Sequence, residues 1–576
     1  MHDLILLHPP SVFDFRERGQ RPGPIAKVIP SSEQFEMYPL GLTSIAAYLG
    51  RNGYRVRIVN LGRRMVADRA YDPVAAIRRM RSQVFGIDLH WLPHAQGALA
   101  VARLVRQLHP EAKILLGGLS ASYYHAELLR DPAIDFILRG DSTEEPCRQL
   151  LQALREGLPL DGVENLSWRR DDGTVVVNPL SHHPVDLDVV DVPAYRAMVG
   201  ASLTPEARAD ALPYEGWWQR PLTVLLTARG CILDCAICGG SRSAYAAICG
   251  RPRPAFRSPE RLVQDLRDIR AFSRSPVFIV HDPRMGGQLR VDRLFELLAR
   301  ERPSNELVFE LFWPAGEELF APLSRSVPRW SLQLTIDSED AGVRARNGKF
   351  GVPNEAIEAT IESAFAHGCR TLDVFFAIGL PGQTPASATG IGDYAERLLE
   401  RFGRDRRLRV FVAPIAPFLD PGSRAFEDPA VGYHPHARTV ADHEAALLEA
   451  DWTRTLTYDT DAMTRAELVE ATYVATERLN DLNLRHELVS RATHDAVARG
   501  IAAARAADGT PHEGSPTGAG SPAPWMFAKD EMNWPGREGL RPTLRLVGIV
   551  AAAIADRAVL RITRALGRFD RHVMAG

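Results

Sequence analysis

The residues best placed to do chemistry are three cysteines in Thr227-Ala-Arg-Gly-Cys231-Ile-Leu-Asp-Cys235-Ala-Ile-Cys238-Gly-Gly240. Thiolates gathered this tightly suit a soft metal centre. A complete iron–sulfur cubane usually takes four cysteine ligands, and this loop supplies three. One iron would stay open for a substrate or cofactor, as catalytic zinc keeps one position open. The bland alternatives are a zinc knuckle or chance clustering; zinc wants a fourth Cys or His at similar spacing, and only Cys249 follows closely. The preceding run, Leu222–Thr227, has strand length and β-rich character. The cysteines therefore sit on a loop at the C-terminal end of a predicted strand, where α/β folds place their chemistry.

The chain that must position this loop has 576 residues, enough for two to four domains. Its 45% hydrophobic and 24% charged content are those of a globular protein. A formal charge of -2 argues against global attraction to nucleic acid. Six cysteines in so long a chain do not read as a disulfide framework. Thiols that hold a cluster must stay reduced, so a cytoplasmic setting is expected. The first residues, Met1-His-Asp-Leu-Ile-Leu-Leu-His-Pro-Pro10, lack a basic region and a signal-length apolar core. No apolar run reaches the ~20 residues that span a bilayer.

From Leu4 to Arg155, strand-like and helix-like segments alternate. Five predicted strands (Leu4–His8, Arg55–Asn60, Val84–Asp88, Lys113–Leu116 and Ile134–Leu138) separated by helices predict a doubly wound parallel sheet with ligands at the strands' carboxyl ends. Those ends carry Asp88-Leu-His90, Gly117-Gly118-Leu-Ser120 and Gly140-Asp141-Ser-Thr143-Glu144, where glycines admit close backbone approach and hydroxyls give directional hydrogen bonds. No G-x-G-x-x-G follows a strand, which argues against a dinucleotide. Asn165–Val177 reads as a β-hairpin with Asp-Gly at its turn, followed by a Pro- and Asp-rich connection.

The C-x3-C-x2-C spacing resembles the signature of radical S-adenosylmethionine (SAM) enzymes, whose open iron chelates the amino and carboxylate groups of SAM. A doubly wound domain ahead of such a loop resembles the cobalamin-dependent branch of that family. The resemblance implies cobalamin with its tail beside the first sheet and its corrin over the strand ends. Gly117-Gly118 matches the glycine pair of the tail pocket, and Ser120, Gly140, Asp141 and Thr143 stand on the neighbouring ends. The Asp-x-His-x-x-Gly motif of cobalamin carriers is absent after the first strand. Asp88-Leu-His90 has Pro93 where that motif wants glycine, so base-off cobalamin without a histidine ligand is expected, with His90 and His94 as loop or core residues. The loop Ser11–Glu36, with Phe13, Phe15 and Phe35, is the alternative cover for the cobalt's lower face.

After the cluster loop, strands ending at His281-Asp282, Phe312, Asp337-Ser338, Ile378-Gly379 and Pro414 give six βα units with the first. This resembles the partial (β/α)6 barrel of radical SAM proteins. By that resemblance Asp337-Ser338 contacts SAM, with Asp337 in place of the commoner glutamate. The backbone of Ile378-Gly379 holds the adenine, and Glu310 meets the ribose. Asp282 replaces the Gly-Gly-Glu-like element for the SAM amine, with Gly239 and Gly240 sharing that task. Cys249 and Cys369 read as structural thiols.

The expected order is thus a Rossmann-like domain (1–160), a hairpin and linker (161–214), the partial barrel (215–430) and a mainly helical region (431–504). A low-complexity stretch (505–525) and a terminal amphipathic helix (526–576) follow. Arg557, Arg561, Arg564 and Arg568 share one face of that helix, the pattern of a weak membrane-surface contact, a partner site, or a docked helix with its arginines in water. In the resembled family the C-terminal helices close the barrel's open side. The resemblance implies a [4Fe-4S] cluster, SAM and cobalamin, an electron donor such as a flavodoxin or ferredoxin, and most often methylation of an unactivated carbon or phosphorus. The alternatives are radical rearrangement, cyclisation or ring contraction without methyl transfer, and a non-enzymatic cobalamin sensor or carrier. Lipid, natural-product and other small-molecule substrates all remain open. No catalytic residue beyond the cofactor set is singled out.

Overall fold

A computed structural model describes residues 1–17, 37–170, 172–192, 194–201, 210–215, 217, 221–414, 418–449 and 452–506. Most of the Ser11–Glu36 loop and the arginine-faced terminal helix lie outside the described residues.

The first sheet contains β1 (His2–His8), β2 (Val56–Asn60), β3 (Ser82–Asp88), β4 (Lys113–Gly117), β5 (Phe136–Leu138), β6 (Leu166–Arg169) and β7 (Val175–Val177). Its order is β2-β1-β3-β4-β5-β6-β7, with the first five strands parallel. Period-2 alternation splits β1 between two cores. Ile5 and Leu7 join Phe85, Ile87 and the helix Ala95–Leu108, while Leu4 and Leu6 join Val84, Leu115 and the helices Gly41–Arg51 and Glu144–Glu156. Burial on both faces is why these strands read as unbroken apolar runs. The strand order reverses direction between β1 and β3, the switch point at which open α/β sheets bind ligands. The predicted hairpin is no free spacer: β6 pairs antiparallel with β5 and extends the sheet.

The second sheet runs β8 (Thr223–Leu226), β11 (Val277–Val280), β12 (Leu307–Leu311), β13 (Trp330–Asp337), β14 (Leu372–Ile378) and β15 (Leu408–Pro414), all parallel and in chain order. That is the expected partial barrel. β9 (Ala228–Arg229) and β10 (Ala255–Phe256) form a small antiparallel pair flanking the cluster loop. Leu307, Phe309 and Leu311, with Leu332 and Leu334, face the outer helices, so the alternate residues Glu310, Gln333 and Thr335 face the barrel interior. Ser258 accepts from the Arg261 N–H and caps the helix Pro259–Arg270, as serine before proline predicts.

Beyond the barrel, β16 (Tyr433–Pro435) and β17 (Tyr458–Thr460) pair, a short ribbon within the region read as helical. The helix Arg465–Arg485 packs through Leu468, Ala475 and Leu482 into the barrel core. The segment 418–427, which includes the short helix Arg424–Glu427, reaches the cluster loop. No described helix is long and apolar enough to cross a membrane.

Candidate active site

Two other segments converge on the cysteine loop. The Ala236 N–H donates to the Asn347 carbonyl after β13 at 2.7 Å, and its own carbonyl accepts from the Ala425 N–H after β15 at 2.8 Å. The Gly239 N–H donates to the Asp420 carboxylate at 2.9 Å. Within the loop, the Leu233 N–H points at Cys231 Sγ (3.4 Å) and the Gly240 N–H at Cys238 Sγ (3.2 Å). Amides aimed at sulfur stabilise thiolate charge and tune iron–sulfur potentials. Asp234 accepts from the Ser243 N–H and hydroxyl at 2.9 and 2.6 Å, bracing the start of the helix Arg242–Cys249.

Burial pushes the Cys231 thiol up, takes Cys235 to about 12 and Cys238 further; the other thiols add to the rise at Cys235 and Cys238. Such sulfurs ionise when a cation binds them. Among the described residues, no three His, Cys, Asp or Glu side chains close on the position of a single metal ion. Cys147, Cys249 and Cys369 are free and buried in packing.

Behind the loop, the barrel mouth presents a charged group of which strand-end residues alone show only a part. Asp337 lies past a register shift in β13 at φ 69°, a conformation costly for a residue with a Cβ, and so turns its carboxylate inward. It accepts from Asn347 Nδ2 at 2.8 Å and faces Lys349 Nζ at 3.5 Å. Lys349 also donates to the Thr335 carbonyl at 2.7 Å. Burial works against the Lys349 charge, but Asp337, Cys235 and Glu310 hold its pKa above the usual value. Glu310 accepts from the His281 N–H at 2.8 Å, and burial pushes its carboxyl up to about 7. Ser338 is fully buried, and its hydroxyl accepts from the Asp340 N–H at 3.2 Å. Gly379 (φ 96°) donates its N–H to Gln383 and its carbonyl accepts from Tyr433 Oη at 2.6 Å, which presents the Ile378-Gly379 turn rigidly.

One expected residue meets other partners. Asp282 accepts from the Arg284 guanidinium at 2.6 and 2.9 Å and from the N–H groups of Arg284 and Phe312, so the protein itself engages both its oxygens. The carboxylate beside the last cysteine is Asp420, which lies past the end of β15 and carries no mark of that place in the sequence. Lys349 was equally hidden; only the turn-forming Asn347-Gly348 hints that the chain reverses towards the strand ends. At Gly348 an added Cβ would lie 2.6 Å from the Asp234 carbonyl, so that turn rests directly on the cluster loop.

In the first domain, Gly117 and Gly118 end β4. At Gly117 the nearest atom to an added Cβ is the Leu138 carbonyl oxygen at 3.7 Å; at Gly118 (φ 113°) it is the His90 Cα at 2.6 Å. Gly118 is thus required by the packing of the chain on itself. Ser120 donates to the His90 carbonyl at 3.1 Å, and the Gly140 N–H donates to Ser122 Oγ at 2.9 Å. Thr143 precedes the helix Glu144–Glu156 without capping it through its side chain. Asp141 is gripped by Arg251 at 2.6 and 3.2 Å, which uses both its oxygens within the protein. His90 is lowered to about 4 by burial, and His94 is buried with its ring 4.8 Å from that of His8. At the switch point His8 Nδ1 meets Asp88 Oδ1 at 2.8 Å, and His8 Nε2 and Asp88 Oδ2 are buried without a partner.

A doubly wound sheet is thus joined to a six-stranded parallel barrel that carries three thiols on the loop after its first strand. Residues 26–148 match the B12 binding domain family. Over 235 residues the chain is 25% identical to the cytidylyl-2-hydroxyethylphosphonate methyltransferase of Streptomyces wedmorensis, a match spanning 35% of this chain and 43% of that relative. The fold is similar to that of the radical S-adenosylmethionine methyltransferase TsrM from Kitasatospora setae, solved with cobalamin and a [4Fe-4S] cluster bound. There the TM-score is 0.56 at 15% identity, covering 77% of this chain and 84% of that one. It is also similar to the cobalamin-dependent S-adenosylmethionine radical enzyme OxsB, solved with aqua-cobalamin and S-adenosylmethionine, with TM-score 0.55 at 13% identity over 98% of this chain and 80% of that one. The chain thus carries a match to the B12 binding domain and shares its fold with these cobalamin-dependent radical SAM enzymes.

Proposed function

We propose that this protein is a cobalamin-dependent radical SAM methyltransferase acting on an unactivated carbon or phosphorus centre of a small molecule. The observation that carries the reading is the juxtaposition of two sites: a three-thiol loop with amides aimed at its sulfurs, and a B12-binding sheet whose β5 loop is hydrogen-bonded to the ends of that thiol loop. Cys231, Cys235 and Cys238 would hold a [4Fe-4S] cluster, and the strand ends around Gly117 and Ser120 would receive cobalamin. When bound, the cluster with SAM supplies a carbon-centred radical, and cobalamin supplies a methyl carrier.

The chain's own residues orient and shield. Asp337, Ser338 and Lys349 offer opposite charges and a hydroxyl where the amino-acid end of SAM would lie. Asp420, which accepts from the Gly239 N–H, would add a carboxylate beside a bound cluster, in place of the engaged Asp282. Glu310 faces the barrel interior and would meet bound SAM there, and the backbone turn at Ile378-Gly379 would offer donor and acceptor edges to a base. Phe375 and Phe411, stacked at 5.0 Å on the interior face, give the substrate cavity an apolar aromatic wall that excludes water.

The test is anaerobic purification, a visible spectrum, and incubation with methyl-labelled SAM under reducing conditions. Cluster and cobalamin absorption with formation of both 5′-deoxyadenosine and S-adenosylhomocysteine supports methyl transfer. 5′-Deoxyadenosine alone, with no label in product, would assign a rearrangement or cyclisation instead. Cobalamin without SAM cleavage would leave a sensor or carrier.

A further inference from the structure

Arg229 and Arg251 bracket the cluster loop, one just before Cys231 and the other just after the helix Arg242–Cys249. Both reach out of the barrel into the same loop of the first domain, Gly140–Glu144 at the end of β5. Arg229 Nη2 meets Glu144 Oε1 at 2.7 Å and its Nη1 donates to Ser142 Oγ at 2.7 Å. Arg251 Nε meets Asp141 at 2.6 Å, and its Nη2 donates to Ser142 Oγ at 3.2 Å. Ser142 is shared by the two guanidinium groups, and Ser44 donates to Glu144 at 2.6 Å from the opposite side. All four charged side chains are at most 8% exposed. The Arg251 stem also lies 3.3 Å from where a Cβ on Gly230 would stand, so the two ends of the loop are fixed to each other as well.

Forked guanidinium–carboxylate pairs in a dry setting define distance and angle more narrowly than apolar packing does. Burial raises the cost of losing either partner, because the other charge is then left unpaired. A domain interface needs no such arrangement merely to adhere. Here it is spent at both ends of the one segment carrying the thiols, and on the one loop at the edge of the predicted cobalamin face.

We infer that Arg229 and Arg251, with Glu144 and Asp141, are positioning residues that set the separation of the cluster from the cobalamin. This rests on the functional reading above. The clasp holds the cluster loop at a fixed height against the first sheet, so that a substrate between them meets both centres without a domain movement.

The experiment uses the anaerobically purified full-length protein with both centres loaded, comparing wild type with Arg229→Ala, Arg251→Ala and the shape-preserving Asp141→Asn. The readout is relaxation of the Co(II) cobalamin electron paramagnetic resonance signal with the cluster reduced and oxidised. Wild type should relax faster when the cluster is reduced, and the clasp variants should lose that enhancement while keeping their iron and cobalt. Asp141→Asn serves if the alanine variants fail to fold. Arg409→Ala, which breaks the 2.8 Å pair with Asp373 near the opposite end of the barrel strands, should lower stability and leave the enhancement intact. Loss of the enhancement in Arg409→Ala would reduce the clasp to general stability and overturn the inference. So would an unchanged enhancement in Asp141→Asn and the alanine variants, or its absence from a wild type that holds both centres. A wild type that holds only one centre refutes the functional reading itself, and the inference with it.

Discussion

Replacing Gly118 by alanine should unfold the first domain rather than merely empty a ligand pocket. Gly118 has φ 113° and ψ 173°, a region that essentially only glycine occupies. An added Cβ would sit 2.6 Å from His90 Cα and 2.7 Å from both His90 N and Leu89 C. These are backbone atoms and cannot swing aside. They are held by the Leu89 N–H to the Gly117 carbonyl at 2.8 Å and by the Ala121 N–H to the Leu89 carbonyl at 3.0 Å. The conformational cost is about 1–3 kcal/mol and the overpacking about 1–3 kcal/mol more. A total of roughly 2–6 kcal/mol takes a large share of the ~5–15 kcal/mol that holds an ordinary domain together. Gly117→Ala is the matched control: its Cβ meets nothing closer than 3.7 Å, and the domain should fold. Near-ultraviolet circular dichroism through a urea titration separates the two, and cobalamin absorption of the purified proteins reads ligand retention. A Gly118→Ala protein with the wild-type midpoint would refute the reasoning. Cobalamin lost from a stable Gly117→Ala protein would place the ligand against Gly117.

Replacing Cys231, Cys235 and Cys238 together by alanine should abolish iron binding and 5′-deoxyadenosine formation while cobalamin is retained; a full four-iron content in that variant rules the cluster site out. Glu310, pushed up to about 7 from 4.5 by burial, favours the folded state only while protonated. Its contribution is complete below pH 4.5 and is lost as pH rises through about 7, at most about 3 kcal/mol. Glu310→Gln should therefore make the cofactor-free protein lose less stability than wild type between pH 5 and 8, and parallel denaturation midpoints would contradict the burial argument. His90→Ala and His94→Ala should leave the cobalt resonance of base-off cobalamin unchanged; a nitrogen hyperfine splitting that vanishes in either variant would identify an axial histidine.

Local chemistry was legible in the sequence wherever neighbours in the chain decide the structure. The apolar runs of β1, β3 and β4 announce strands buried on both faces, Ser258-Pro259 announces a helix start, and the thiol spacing needs no fold to be noticed. Glu310 was legible through strand alternation, since Phe309 and Leu311 are apolar and it is not. The sequence was silent where side chains meet across long chain separations. Arg229 finds Glu144 in the other domain, and an arginine ahead of a cysteine loop carries no mark of its partner. Asp282 shows the converse: the sequence puts it at a strand end, and Arg284, two residues later, folds back and pairs with it. Gly118 was read from the sequence as a glycine that admits a ligand, and the close approach it permits in the structure is made by His90 of the same chain.

The helical layer over one face of the first sheet is completed by residues that follow the barrel in the chain. Phe418, Val440 and Leu447 belong to the same buried cluster as Ile5, Phe85 and Leu99. Polar ties accompany them: the Val440 N–H donates to Glu127 at 2.9 Å, Tyr124 Oη to the Arg438 carbonyl at 2.9 Å, and Arg103 pairs with Glu444 at 2.9 Å. During synthesis, therefore, this sheet emerges from the ribosome long before the residues that cover it, and waits with an apolar strip bare while the whole barrel is made. A chain truncated before residue 418 keeps that strip exposed, and a chaperone that shields such surfaces has its longest task on the first sheet of the nascent chain.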